Sequence, residues 1–180
     1  MLFICFLIAS LPVFAKRGNI QNKEDNFSVR VAVVDIQSIL EGSVAIQNLR
    51  ETVSRLNQKI QQDISKKEIE FKPLEENLIK ERQSLSEVDF EKRVNEFNVK
   101  VSEVKKEIQA RKTKLEQAHA EAMGMIHEMT ITIITELAEK YDLNLVIPNT
   151  QILYARNNLN ITAEVTFILN ERLKNVTVNY

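Results

Sequence analysis

From Ser43 to Lys140 the apolar residues of the chain recur at steps of three and four. The first half of the stripe runs Ile46, Leu49, Val53, Leu56, Ile60, Ile64, Phe71, Leu74, Leu78 and Leu85. The second runs Phe90, Val94, Phe97, Val101, Val104, Ile108, Leu115, Ala118, Ala122, Met125 and Met129. Lys, Arg, Glu, Gln, Asn and Ser fill the positions between. So narrow a stripe is the seam of a coiled coil rather than the broad face of a globular helix. Within the stretch only Gly124 and Pro73 depart from helix-forming chemistry.

The stripe breaks at Ser84-Leu85-Ser86-Glu87-Val88-Asp89. Ser86 with Asp89 three positions on reads as an N-cap followed by an acidic first turn, so a second helix starts there. A reversal between Leu85 and Val88 sets Leu78 opposite Val94, Leu74 opposite Phe97 to Val101, and Phe71 opposite Val101 to Val104. Further down it sets Ile64 opposite Ile108, Leu56 opposite Ala118, Val53 opposite Ala122 and Leu49 opposite Met125. The stripes match along their length, which predicts an αα-hairpin with long arms. Its seam is Leu49, Val53, Leu56, Ile64, Phe71, Leu74, Leu78, Val94, Phe97, Val101, Ile108, Leu115 and Met125. The same register brings Asp63 to Arg111, a pair whose main effect is to fix the pairing.

The flanks read differently. Val29 to Ile36 is rich in β-branched residues and apolar on both faces beyond Arg30, a buried strand. Ser38 or Ser43 caps the helix after it, and Gly42 marks a bend. Leu143 to Ile147 is a second strand, and Ile152 to Ala155 a third, joined to it as a hairpin through Pro148-Asn149-Thr150-Gln151. A last helix begins near Asn160 or Thr162, with Val165, Ile168, Leu169, Leu173 and Val176 on one face. The fold class is mainly α with a small β body, from which a long antiparallel helical hairpin projects. Residues 29–42 and 141–180 form the body, residues 43–140 the hairpin, and the tip lies near 85–88. With arms of roughly 40 residues, the projection spans about 60 Å at the helical rise. A body this small does not bury an apolar strand on both faces alone, so Val31, Val33, Val34, Leu145 and Ile147 are expected to carry oligomerisation.

Residues 1–15 are apolar around Leu2-Phe3-Ile4-Cys5-Phe6-Leu7-Ile8 and end Val13-Phe14-Ala15 before Lys16-Arg17. This pattern predicts a secretory signal peptide cleaved after Ala15, too short for a membrane-spanning helix. Residues 16–28 read as a mobile leader. Cys5 is the sole cysteine, so the exported chain carries no disulfide. Acidic and basic residues nearly cancel, to a formal net charge of −1. That balance, without basic clusters interleaved with aromatics, points away from nucleic acid.

Catalytic, cofactor and metal chemistry find no constellation in the sequence. Glu116 and His119 have the spacing of half a di-iron carboxylate site, but no second Glu-x-x-His completes it. His119 and His127 read as helix-surface or seam-edge residues. There is no Gly-rich phosphate loop and no nucleophile elbow. The aromatics near the tip, Phe71, Phe90 and Phe97, fit the seam spacing better than a clamp.

Several of these segments together resemble the Skp/OmpH family of periplasmic chaperones for outer-membrane proteins. They are Val31-Ala32-Val33-Val34-Asp35, the hairpin, Asp142-Leu143-Asn144-Leu145-Val146-Ile147, Leu153-Tyr154-Ala155 and Asn160-Ile161-Thr162-Ala163-Glu164-Val165. The resemblance implies a periplasmic homotrimer with three helical arms around a cavity, holding unfolded outer-membrane proteins without ATP or cofactor. Two features depart from the family pattern. The near-neutral charge weakens the case for lipid-surface contact, and Pro73 stands inside an arm. Pro73 predicts a kink or break near Ile69 to Lys72, or a helix restarting at Pro73, and so a hinge. Gly124, low on the other arm, softens the base. A holdase works through shape and many weak contacts, which agrees with the lack of any single site. The alternative is a structural coiled-coil tether or docking protein of the cell envelope. An amphipathic lipid binder fits less well, because the stripe is narrow.

Overall fold

The computed structural model describes residues 28–180; the predicted signal peptide and all of the leader but Ser28 lie outside them. The element order is β1 (Val31–Val34), α1 (Ile36–Glu41), α2 (Val44–Glu81), α3 (Glu87–Lys140), β2 (Leu145–Pro148) and α4 (Thr162–Arg172). Two short 3-10 turns, Asn149–Gln151 and Asn157–Leu159, lie between β2 and α4. The fold is mainly helical, with α2 and α3 forming a hairpin beside a small strand pair.

β1 and β2 pair in parallel, from Val31 opposite Leu145 to Val34 opposite Pro148. Parallel neighbours need a crossover connection. Here the entire helical hairpin is that crossover, so the two strands clamp both arms at one end.

Local chemistry sets each boundary. The Asp35 carboxylate accepts from the Ser38 backbone N–H at 2.9 Å and caps α1. Ser43 caps α2, its hydroxyl accepting from Ile46. Between them Gly42 ends α1; a Cβ there would meet the Thr166 methyl at 3.2 Å and the Ser38 carbonyl oxygen at 3.3 Å, so α4 packs directly on that backbone. Ser86 caps α3 by accepting from the Asp89 N–H, as the sequence predicts. α3 ends at Lys140, and Asp142, just past the cap residue Tyr141, has a left-handed φ of 52°. The Leu143 N–H reaches back to the Ala138 carbonyl at 2.8 Å and the Asp142 N–H to Glu139 at 3.1 Å. That is a Schellman motif with aspartate in the usual glycine position. It turns the chain into β2, where Asn144 donates to the Arg30 carbonyl at 2.8 Å.

Asp35 also gives a pH dependence. The backbone N–H of Ser38, first among its contacts, and the Asn149 amide hold its carboxyl below the usual carboxylate range. A depressed folded-state pKa contributes stability above the unfolded value of about 3.9, lost as pH falls through the folded value. Asp35→Asn keeps an N-cap acceptor but removes the titration. Thermal melts of the variant between pH 5 and pH 2 are expected to show a shallower acid loss than wild type.

The core sits where the arms enter the body. It joins Val34, Ile39, Ala45, Ile46, Leu49, Ala122, Ile126, Ile133, Ile134, Leu137, Val165 and Leu169. Ala32, Val33 and Val34 are all buried within the single chain. β1 is thus covered within one chain, by β2, by the turn before α4 and, at Val34, by the core that the arm ends and α4 build.

Three further expectations change. The tip connection is residues 82–86, slightly before the predicted reversal. Ile152 to Ala155 forms no strand and no hairpin with β2. Beside β1, on the edge away from β2, Asn160 is bridged in parallel to Val33, with Ile161 donating to the Val33 carbonyl at 3.0 Å. α4 ends at Arg172, so Leu173 and Val176 lie beyond the helix expected to carry them.

Candidate functional site

With no catalytic cluster to build from, the hairpin and the exposed face of the body are the parts available for binding. Along the hairpin, burial falls steeply from base to tip. On α2 the buried residues are Ala45, Ile46, Leu49 and Ile60, and none follows Ile60. On α3 the first buried residue is Leu115. Val53, Leu56, Ile64, Phe71, Leu78, Val94, Phe97, Val101 and Ile108 are half-buried, and Leu74 is exposed. Beyond Ile60 and Leu115, two helices in contact leave part of each seam side chain facing water, so the outer arms rest on shallow burial. Such segments open locally at low free energy.

The seam shifts at its base. Met125, expected opposite Leu49, is 43% exposed, while Ile126 is fully buried. From Ala122 the stripe steps by four to Ile126, then to Thr130 and Ile133, following the α-helical period as α3 passes from a two-helix seam into the broader core. Thr130 is accommodated there because its hydroxyl donates to the Ile126 carbonyl at 2.8 Å.

Two ion pairs mark the register. Arg111 meets Asp63 at 3.0 Å, the pair expected from the hairpin, and Arg93 meets Glu81 at 3.3 Å near the tip. Both are partly exposed, so each contributes at most about 1 kcal/mol and serves mainly to select one pairing. Phe71 departs from the expected alignment. Its ring packs edge-to-face on Phe97, centroids 5.9 Å apart, nearer the tip than the predicted Val101 to Val104. Edge-to-face aromatic contact adds favourable energy beyond buried area, and long rings reach across a turn to find it. Around the pair lies a groove of about 510 Å³, lined by Ile64, Phe71, Phe97, Val101, Val104 and Ile108. Lys67, Lys72 and Lys105 rim it beside Glu68 and Glu75.

α2 runs unbroken through Pro73. The predicted break at Ile69 to Lys72 and the restart at Pro73 are therefore both corrected. The proline removes one backbone hydrogen bond, and at an exposed position, with Ile69 73% exposed, water can take the freed carbonyl. A hinge at Pro73 then has to be a local weakness within a continuous helix. Pro73→Ala is expected to raise helicity and narrow the tip-to-body distance distribution between spin labels. An unchanged narrow distribution in wild type would remove the hinge.

On the body, Val31 and Ile147 are half-buried and Val33 and Val34 buried, whereas Leu145 is 51% exposed. Leu153 and Tyr154 are 107% and 82% exposed, and Val29 and Phe167 also face solvent. Leu145, Leu153 and Tyr154, with Val29 and Phe167, are thus apolar surface left open on the body, while Val33 and Val34 of β1 are covered. His119 borders α2 beside Arg50, Val53 and Ser54. Among the described residues no group of three His, Cys, Asp or Glu gathers to hold a metal, and no helix is long and apolar enough to cross a membrane.

A segment not singled out by sequence reasoning also reaches the hairpin. Residues 173–180 follow α4, and the Tyr180 hydroxyl accepts from Arg111 Nε at 2.9 Å. The signal for it was the alternation Val176-Thr177-Val178-Asn179-Tyr180, hidden by assigning Val176 to α4.

These features define a class: a helical-hairpin protein whose two arms are clamped by a parallel strand pair and a terminal helix. A family model described as outer membrane protein (OmpH-like) matches residues 30–169. The chain belongs to the OmpH-like family. A solved structure from Caulobacter crescentus CB15, described as a candidate outer membrane chaperone (OmpH-like), shares the fold with a TM-score of 0.74 at 13% identity. The alignment covers 83% of this chain and 89% of that one. No curated protein matches.

Proposed function

We propose that the protein is an ATP-independent holdase of the periplasm that shields unfolded outer-membrane proteins between helical arms. The observation that carries this reading is the pairing of OmpH-like membership with a hairpin whose outer arms are only half-buried. Such arms offer many weak apolar contacts and can adjust to varied chains. α2 alone, with 38 residues, reaches on the order of 57 Å at the helical rise. The reading takes the protein as a homotrimer. Self-association is supported by the open apolar residues Leu145, Leu153 and Tyr154, and the number three by family resemblance. It assigns no catalytic step and no cofactor.

Diluting a urea-unfolded β-barrel membrane protein into buffer without nucleotide tests it, with light scattering as the readout. Suppressed scattering at stoichiometric chaperone is the expected result. Scattering equal to that with an inert protein would leave the tether reading in its place.

A further inference from the structure

The segment after α4 lies against the hairpin in a way that suggests a second occupant for the same surface. Asn48, one turn into α2, donates to the Lys174 carbonyl at 2.8 Å and to Asn175 Oδ1 at 2.9 Å. Tyr180 is held by Arg111, itself paired with Asp63. Asp63 lies about four turns, or roughly 22 Å, beyond Asn48 along α2. The six chain steps from Lys174 to Tyr180 span at most roughly that distance. With the Arg111 and Tyr180 side chains completing the reach, the segment runs up the arm without helix or strand, turning locally where the Tyr180 N–H meets the Val178 carbonyl at 3.0 Å.

Its side chains alternate. Val176, Val178 and Tyr180 are half-buried, while Thr177 and Asn179 are exposed. Val176 and Val178 pack against the core where the arms meet the body, and the Arg111 guanidinium stands 5.9 Å from the Tyr180 ring centroid. Residues 174–180 join no strand or helix, so side-chain contacts rather than a backbone ladder hold them. That is the profile of a segment that opens at low free energy. It also lies beyond residues 30–169, the part that matches the family.

We propose that residues 173–180 are a displaceable occupant of a docking track on the lower hairpin, and that the other occupant is an extended client segment with the same alternation. Transmembrane β-strands alternate apolar and polar side chains at period two, as Val176 to Tyr180 do. The seated segment thus displays the pattern that the track accepts. The apolar groove lined by Ile64 and Ile108 begins within a turn of Asp63 and Arg111, giving a longer client strand further surface toward the tip. Identifying the occupant as client rests on the holdase reading; the competition between segment and strand does not.

The test uses the full chain and fluorescent peptides of about ten residues, the length of a barrel strand segment. One alternates Val or Tyr with Thr or Asn; the other has the same composition with its apolar residues in one block. Val178→Asp with Tyr180→Ala weakens the segment's hold. Asn48→Cys with Asn175→Cys, in a Cys5→Ser background, locks it under oxidation. If the segment fills the track nine-tenths of the time, releasing it should tighten binding of the alternating peptide about tenfold. The locked form should bind more weakly than wild type and recover on reduction, and the block peptide should bind less well throughout. Equal affinity in wild-type, released and locked forms would overturn the proposal, as would weaker binding by the released form. If the released variant does not fold, oxidised against reduced locked protein decides alone. Aggregation of a urea-unfolded β-barrel protein is measured in parallel. Suppression without any peptide competition sinks only this inference; competition without suppression keeps the track and sinks the holdase reading.

Discussion

Replacing Leu153 and Tyr154 together by aspartate is expected to yield a folded monomer that no longer suppresses client aggregation. Both side chains stand in solvent in the single chain, so their loss leaves its core untouched. In an assembly they are the residues with most apolar surface to gain. Burying a large apolar side chain contributes roughly 1.5–3 kcal/mol, and symmetry repeats each loss at every interface. Two charges placed there also carry a desolvation penalty. Self-association should weaken by at least about a hundredfold, since each 1.4 kcal/mol is tenfold. Sedimentation equilibrium at micromolar concentration reads this directly. A wild type that sediments only as monomer would remove the assembly, and a double variant that still self-associates as wild type does would move the interface elsewhere.

The second large effect separates neighbours on α3. Ile126→Ala removes a fully buried side chain at the junction of arms and body, and is expected to cost about 2–5 kcal/mol. Met125→Ala, at a residue 43% exposed, should cost no more than about 0.5 kcal/mol. Against a typical total of roughly 5–15 kcal/mol, the first change is severe and the second near silent. Urea unfolding monitored by circular dichroism gives both values. Equal costs would mean that α3 is rotated from the position described.

That pair of residues also shows what the sequence can and cannot convey. The seam was legible because a coiled-coil stripe is a one-dimensional pattern, and the Asp63–Arg111 pair comes out of it, at 3.0 Å. The stripe alone does not separate Met125 from Ile126, since from Ala122 the first continues it by a step of three and the second by a step of four. Only the core entered by α3 decides between them. Helix starts were legible where a side chain caps its own backbone, as Ser43 and Ser86 do. The third strand was not. Ile152 to Ala155 has strand composition, but a strand needs a partner, and among the described residues β2, its expected partner, pairs only with β1. Strand propensity measures fit to a neighbour rather than a preference of the backbone itself. The segment 173–180 was missed for the opposite reason. Val176 also fits the helical spacing of α4, and the period-two pattern beyond it is only five residues long.

The arms themselves link these structural points to function. They are firm at the base, where Ile60, Leu115 and the core are buried, and shallowly packed beyond it. A holdase needs that gradient, because a rigid mouth admits one shape and an unclamped one holds nothing. The measurement that tests the holdase reading most directly is native mass spectrometry of the full chain mixed with a urea-unfolded β-barrel membrane protein, without nucleotide. The expected species is a complex of three copies of this chain around one client. Self-assembled chain with no client bound, at a concentration where the client alone aggregates, would contradict it.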